Sequence, residues 1–346
     1  MNNTVSSYTS WQPLEEVIVG RVYTPDYFSF IDNPNVRSQL GQILEESAED
    51  LDNLQRTIEQ YGAKVRRPEL PDINKFHNNQ IRDQGVPIPP LTPRDWQITM
   101  GEKLLRVLNV DEMTGICQDY ENAQPGCVVS PHQNKYQPDH VMANAVASCI
   151  VRVGTDVFFD NSEWMTTDQM HWIRDNVLDS RYRVRRAVTN GHGDAVFAIL
   201  KPGVIISSIH DADINYKQDF PGWEVYKVWD PTIWAAMEIG KFKYETSPGA
   251  WYVQGQTPSP EFTDFVNTYL TKWTGFVAET VFDVNCLVLD ESHVIFSSYN
   301  QGVFDFCRKH KIEPIISELR HKYFWDGGIS CCTQDIRRRG GLETYL

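Results

Sequence analysis

The strongest constraint on the fold is a hairpin design that recurs along the chain. Four stretches carry it: "DWQITMGEKLLRVLN" from Asp95, "CIVRVGTDVFFDN" from Cys149, "HGDAVFAILKPGVIISS" from His192 and "NCLVLDESHVIFSS" from Asn285. In each, an apolar run meets a turn of Gly-Glu-Lys, Gly-Thr-Asp, Lys-Pro-Gly or Asp-Glu-Ser type, and a second apolar run follows. Such runs around such turns predict β-hairpins with well-buried strands. Three hairpins are followed at a distance by a further β-rich segment: "YRVRRAV" near Tyr182, "WEVYKVW" near Trp223 and "KIEPIIS" near Lys311. Before the first and last of these, "TTDQMHWIRDNVLD" and "NQGVFDFCRKH" place apolar residues at helical spacing behind a capping residue, Thr166 or Asn300.

Near the amino end, "LEEVIVGR" reads as a strand, followed by an amphipathic stretch from about Gln39 to Tyr61 and a strand in "AKVRRPEL". A ββαβ unit therefore recurs about five times, the second copy without a clear helix. The first copy has one strand of its hairpin; "CTQDI", far along the chain, supplies the other and closes a ring. A unit alone would expose an apolar face that stacking around an axis buries. An ordinary mixed α/β domain is the alternative; the ring is preferred because polar residues open the repeats at equivalent places. Asp95 opens the second hairpin and His192 the fourth, with Asp194 two residues on, while Asp156 sits at the third hairpin's turn. Convergence of these residues at one end of a central channel would make an active site.

Composition narrows the function. The 346 residues are 41% hydrophobic, enough for a large core, and residues 1–346 read as one domain without a linker or low-complexity tract. A net charge of −14 with a single basic run, "RRRGG", argues against nucleic acid or an anionic membrane as partner. The start "MNNTVSSYTS" lacks a signal-peptide pattern and no apolar run approaches spanning length, so a cytoplasmic location is expected. Seven scattered cysteines without a CxxC pair suit neither a disulfide framework nor a structural zinc site. The stretch from Asp111 to Gln137 and "TSPGAWYVQGQTPSPE" read as irregular surface loops, one of them a candidate lid.

Two motifs carry chemistry. In "GHGDAVF", His192 and Asp194 flank a glycine at a strand start, where residues i and i+2 face the same side. In "DGGISCCT", Gly327 and Gly328 permit a tight or left-handed turn ahead of a strand, and a cysteine there stands at a strand mouth, as a nucleophile does. Adjacent strand residues face opposite sides, so at most one of Cys331 and Cys332 faces a site. Plain core packing is the alternative for the cysteine pair, as a turn or cap is for Asp95 and Asp156.

Together "TPRDWQITMGE", "VRVGTDVFF", "HGDAVF" and "DGGISCCTQDIRRRGGLETYL" resemble the amidinotransferases of the glycine amidinotransferase and inosamine-phosphate amidinotransferase group. The Gly-Gly-x-x-Cys-x-Thr-x-Asp-hydrophobic-Arg-Arg pattern is specific to that group, and His-x-Asp-x-x-Phe is shared by the wider guanidine-modifying superfamily. The resemblance implies an α/β fold: a five-fold pseudosymmetric α/β-propeller, or pentein, of ββαβ modules. It implies transfer of the amidino group of L-arginine to a small primary amine such as glycine, through a covalent amidino-cysteine, with ornithine released and no cofactor or metal. A hydrolase of the same superfamily, with water as acceptor, is the alternative. The nucleophile falls on Cys331, the general acid/base on His192, the carboxylate orienting that histidine on Asp156, and the guanidinium-gripping pair on Asp95 and Asp194. Relatives are monomers or homodimers. The sequence departs from the family at Ser330, where the family carries histidine, and in "SSIHDADIN", which lacks the family's arginine; Asp211 and Asp213 there read either as an acidic pocket for a second cationic group or as solvated turn residues. "AETV" around Glu279 replaces a Ser-Ser-Lys-Trp segment.

Overall fold

A computed structural model describes residues 4–78, 86–108, 110–130, 146–160, 165–187, 192–208, 214–228, 251–253, 255–257, 259–273 and 281–346. Among the described residues, fifteen strands form five three-stranded sheets of one design. In each sheet a first strand pairs antiparallel with a second, and the second pairs parallel with a third. Four sheets are consecutive in the chain: β3 Gln97–Met100, β4 Lys103–Arg106 and β5 Val128–Val129; β6 Ile150–Val153, β7 Asp156–Asp160 and β8 Arg183–Ala187; β9 Phe197–Lys201, β10 Val204–Ser207 and β11 Glu224–Lys227; β12 Leu287–Asp290, β13 His293–Phe296 and β14 Glu313–Ile316. The fifth joins β15 Thr333–Arg338 to β1 Leu14–Val19 and β2 Lys64–Arg66, so the two ends of the chain close the ring as the pattern predicts.

Every module crosses from its second to its third strand through a helix. These are Pro34–Gln60, Asp111–Ala123, Thr167–Asn176, the single turn Tyr216–Asp219, and Gln301–Lys309. Thr166 caps its helix in a capping box with Gln169, and Asn300 caps its own through Val303 N–H. Asp111–Ala123 corrects the irregular loop expected there. It buries Met113, Ile116, Cys117 and Tyr120 along one face, but Val110 offers no capping side chain and polar residues dilute the stripe. "TSPGAWYVQGQTPSPE" is corrected in part: Trp251 and Val253 are core residues, and Ser259 caps a helix, Pro260–Tyr269. Trp251 packs edge-on against Phe324 and donates to Asn267 Oδ1. No described helix is long and apolar enough to cross a membrane.

The first strands are innermost. A cavity of about 60 Å³ is lined from β6, β9, β12 and β15 and from the segment before β3. Its floor is ionic. Asp335 on β15 is fully buried, takes two hydrogen bonds from Arg152 at 2.8 and 2.9 Å and one from Arg338 Nε at 2.7 Å, and pairs with Arg94 at 3.1 Å. Against the cost of burial, Arg152, Arg338 and Arg94 hold its carboxyl well below the usual range. The "RRRGG" run is thus divided: Arg338 is buried in this cluster, while Arg337 pairs with Glu15 and Glu16 on β1.

Candidate active site

Each innermost strand is preceded by one helical turn, and those turns gather at one end of the ring. They are Pro93–Trp96, Ala147–Cys149, Gly193–Val196, the turn closed by Asn285 N–H on Val281 C=O, and the turn closed by Cys332 N–H on Gly328 C=O. Counting back two residues from β3, β6, β9, β12 and β15 gives Asp95, Ser148, Ala195, Asn285 and Cys331. The chemistry-bearing positions are therefore a five-fold set. Module four places small Ala195 there and presents His192 and Asp194 from the same turn.

The sequence-predicted residues converge, with one exception. His192 stands just before the turn Gly193–Val196, and its Nδ1 lies 3.5 Å from Asp95 Oδ1. Ser148 Oγ donates to the same oxygen at 3.0 Å. Cys331 Sγ lies 4.0 Å from Asp194 Oδ2. Asp194 Oδ1 is buried and has no hydrogen-bond partner, an acceptor left open beside the thiol. Burial pushes the Asp194 carboxyl above its ordinary range and Asp95 adds to the shift, while Arg94 and His192 oppose it. Burial likewise pushes the Cys331 thiol well up, reinforced by Asp194 and Asp95, with the Gly328 backbone opposing.

Asp156 is the exception. It opens β7 and pairs in register with Val153, at the turn end of its hairpin, whereas Ser148 and His192 lie at the other end, where β6 begins. A strand advances about 3.3 Å per residue, so the length of β6 separates it from the site. Its carboxylate is bound by Arg183, at 2.5 and 3.0 Å, and by Arg185 at 2.6 Å. The strand starts and the turn of an antiparallel hairpin cannot meet at one end of a channel. The carboxylate that stands against His192 is Asp95.

Local geometry also differs from the strand picture. His192 and Asp194 lie in a helical turn, not on β9. Cys331 and Cys332 lie in the turn before β15, yet they do diverge: Cys332 packs in the apolar cluster with Leu51, Leu91 and Trp325, and burial lifts its thiol to about 12. All seven cysteines are buried, and none is in a disulfide. Neither Gly327 nor Gly328 is left-handed; that conformation falls on Asp326, at φ 45°. Gly328 is needed for proximity instead, since a Cβ there would meet Asn285 Oδ1 at 2.4 Å.

Asn285, Ser148 and Arg94 were not predicted. Asn285 and Asp95 each stand at the start of a recurring hairpin, and that shared position was the available signal. Ser148 and Arg94 gave none beyond adjacency to such a start. Ser330 is buried, and its N–H donates to Asn285 Oδ1. Asp211, Asp213 and Glu279 lie outside the described residues.

No family model matches the chain. It is similar over 99% of its length to the L-arginine:L-lysine amidinotransferase of Pseudomonas savastanoi pv. phaseolicola, with 24% identity and 96% of that protein covered. It is 22% identical to the mitochondrial glycine amidinotransferase of Xenopus laevis, over 99% of this chain and 85% of that one. Among solved structures, the inosamine-phosphate amidinotransferase of Streptomyces griseus superposes with a TM-score of 0.69 at 19% identity, with 99% of each chain covered. The chain thus shares its fold with that structure.

Proposed function

We propose that this chain, a homologue of the amidinotransferases from end to end, moves an amidino group from L-arginine to a small primary amine such as glycine. The observation that carries the reading is the pairing of Cys331 Sγ with the Asp194 carboxylate, one oxygen of which is buried and open, with the charges of Asp95 and His192 acting on the same carboxylate. A guanidinium is a planar cation with five N–H donors, so carboxylates on two sides hold it and orient its carbon. Its carbon is a poor electrophile, and a thiolate is the nucleophile such a carbon requires.

The charge arithmetic favours this order of events. Burial and two aspartates favour the thiol form of Cys331. A guanidinium between Asp95 and Asp194 offsets their charge, and the thiol passes its proton to His192. The thiolate attacks the guanidinium carbon to give a tetrahedral adduct. The C–N bond to ornithine breaks as protonated His192 gives its proton to the departing amine, leaving an amidino-thioether on Cys331. The acceptor amine gives a proton to His192 and attacks the same carbon, and the C–S bond breaks to restore the thiolate. Asp95, held by Ser148, keeps His192 at the reacting carbon, the part the resemblance gave to Asp156.

The test is an arginine-dependent screen of amine acceptors that reads ornithine release, with intact-protein mass spectrometry of the enzyme in arginine alone. Gain of one amidino group at Cys331, and ornithine release that depends on an amine, are expected. Citrulline formed from arginine without any amine would sink the transfer reading in favour of hydrolysis.

A further inference from the structure

We infer that Asn285 is the residue that aims and activates the nucleophile, donating its amide N–H to Cys331 Sγ while its carbonyl oxygen holds the turn that carries the cysteine. The inference rests on the reading of Cys331 as nucleophile. Asn285 is fully buried, and all of its side-chain polar atoms are engaged. Oδ1 accepts from Ser330 N–H at 2.8 Å and Cys331 N–H at 3.3 Å. Two backbone donors require an oxygen there, which fixes the orientation of the amide. Nδ2 must then point the other way, where it lies 3.1 Å from Cys331 Sγ and 3.1 Å from Asp194 C=O. One side chain thus ties the nucleophile's backbone, its sulfur and the turn bearing the open carboxylate into a single rigid unit.

The contact has a consequence for reactivity. An N–H donor favours the charged form of its acceptor, so Asn285 favours the thiolate. The charged groups facing the sulfur among the described residues otherwise work against it: Asp194 and Asp95 are negative, and Cys332 adjoins it. His192 stands beyond, against Asp95, and Arg94 donates its backbone N–H to Cys331 C=O at 3.5 Å. Asn285 is therefore a fixed donor to the sulfur that is present before substrate arrives. Gly328 belongs to the same device, because any side chain there displaces the amide oxygen.

The experiment compares the thiolate absorbance of Cys331 across pH, taken as the difference between each protein and its Cys331→Ser counterpart, for the wild type and three variants. Asn285→Ala removes both the clamp and the donor. Asn285→Asp keeps the size and the acceptor for Ser330 and Cys331 N–H, but puts a carboxylate oxygen where the donor was. The titration midpoint is expected to rise by about one to two pH units in Asn285→Ala, the worth of one hydrogen bond to a charged group, and further in Asn285→Asp. Gly328→Ala should shift it in the same direction. A midpoint unchanged in Asn285→Asp, with circular dichroism and melting like the wild type, would overturn the inference. The readout uses no substrate. If wild-type Cys331 shows the asparagine-dependent titration but gains no amidino group in arginine, the donor stands and the proposed reaction falls.

Discussion

Two aspartates, one fully buried and one partly, line the same axial cavity and do opposite things. Asp335, on the floor, receives three guanidiniums and stays ionised far below the ordinary carboxylate range. Asp194, at the rim beside Cys331, keeps one oxygen without a partner and is pushed the other way by burial and by Asp95. The first is completed by the fold. The second keeps an open acceptor, and in the proposed reaction a guanidinium supplies the N–H donors and positive charge it lacks.

The comparison can be broken in several ways. The largest effect is expected at the thiol itself: Cys331→Ser should lower arginine-dependent ornithine release by at least about 10³-fold and abolish the covalent adduct. Cys332→Ser should keep activity, because Cys332 faces the core; equal loss in both variants would refute the division of the pair. Next comes Asp335→Asn. It leaves buried guanidiniums uncompensated and should cost about 3–5 kcal/mol, read from denaturant midpoints. Asp194→Asn should instead cut kcat/KM by about a hundredfold or more, while stability at neutral pH holds or rises. If Asp194→Asn unfolds the protein as readily as Asp335→Asn, the contrast fails.

Stability against pH separates the same two groups with opposite signs. Asp335 has a depressed folded pKa, so its stabilisation is present above the unfolded carboxylate value near 4 and is lost only as pH falls through the depressed value. Asp194 has a raised folded pKa, so stability falls as pH climbs from the unfolded value through the folded one, then levels. Melting temperatures measured across this window should show the decline in the wild type and its absence in Asp194→Asn. The smallest effect is expected at Asp156→Asn, which leaves Arg183 and Arg185 in contact with solvent. Ornithine release should stay within about threefold, under ~1 kcal/mol in the barrier. A loss like that of a His192 variant would return Asp156 to the site.

Much of this was legible in the chain because hairpins are local. Turn residues between apolar runs placed most of the first and second strands, and capping residues placed two of the helices. The helix at Asp111–Ala123 was not legible, since its apolar face is diluted and its end lacks a side-chain cap. The role of Asp156 was misplaced for a different reason: a motif places a residue in sequence, but hairpin direction decides which end of the channel it reaches.

The sequence by itself determined the repeat, the ring closed by its two ends, and the residue types that chemistry at a guanidinium carbon needs. Only the tertiary structure decided which of them meet. Asp95, Ser148, His192, Asp194, Asn285 and Cys331 come from five modules, brought together because each opens or precedes an innermost strand of one ring. The donor on the sulfur is the clearest case. Asn285 lies 46 residues before Cys331 in the chain, and its meaning comes from the amide of one module filling the space that a missing Cβ leaves in the next.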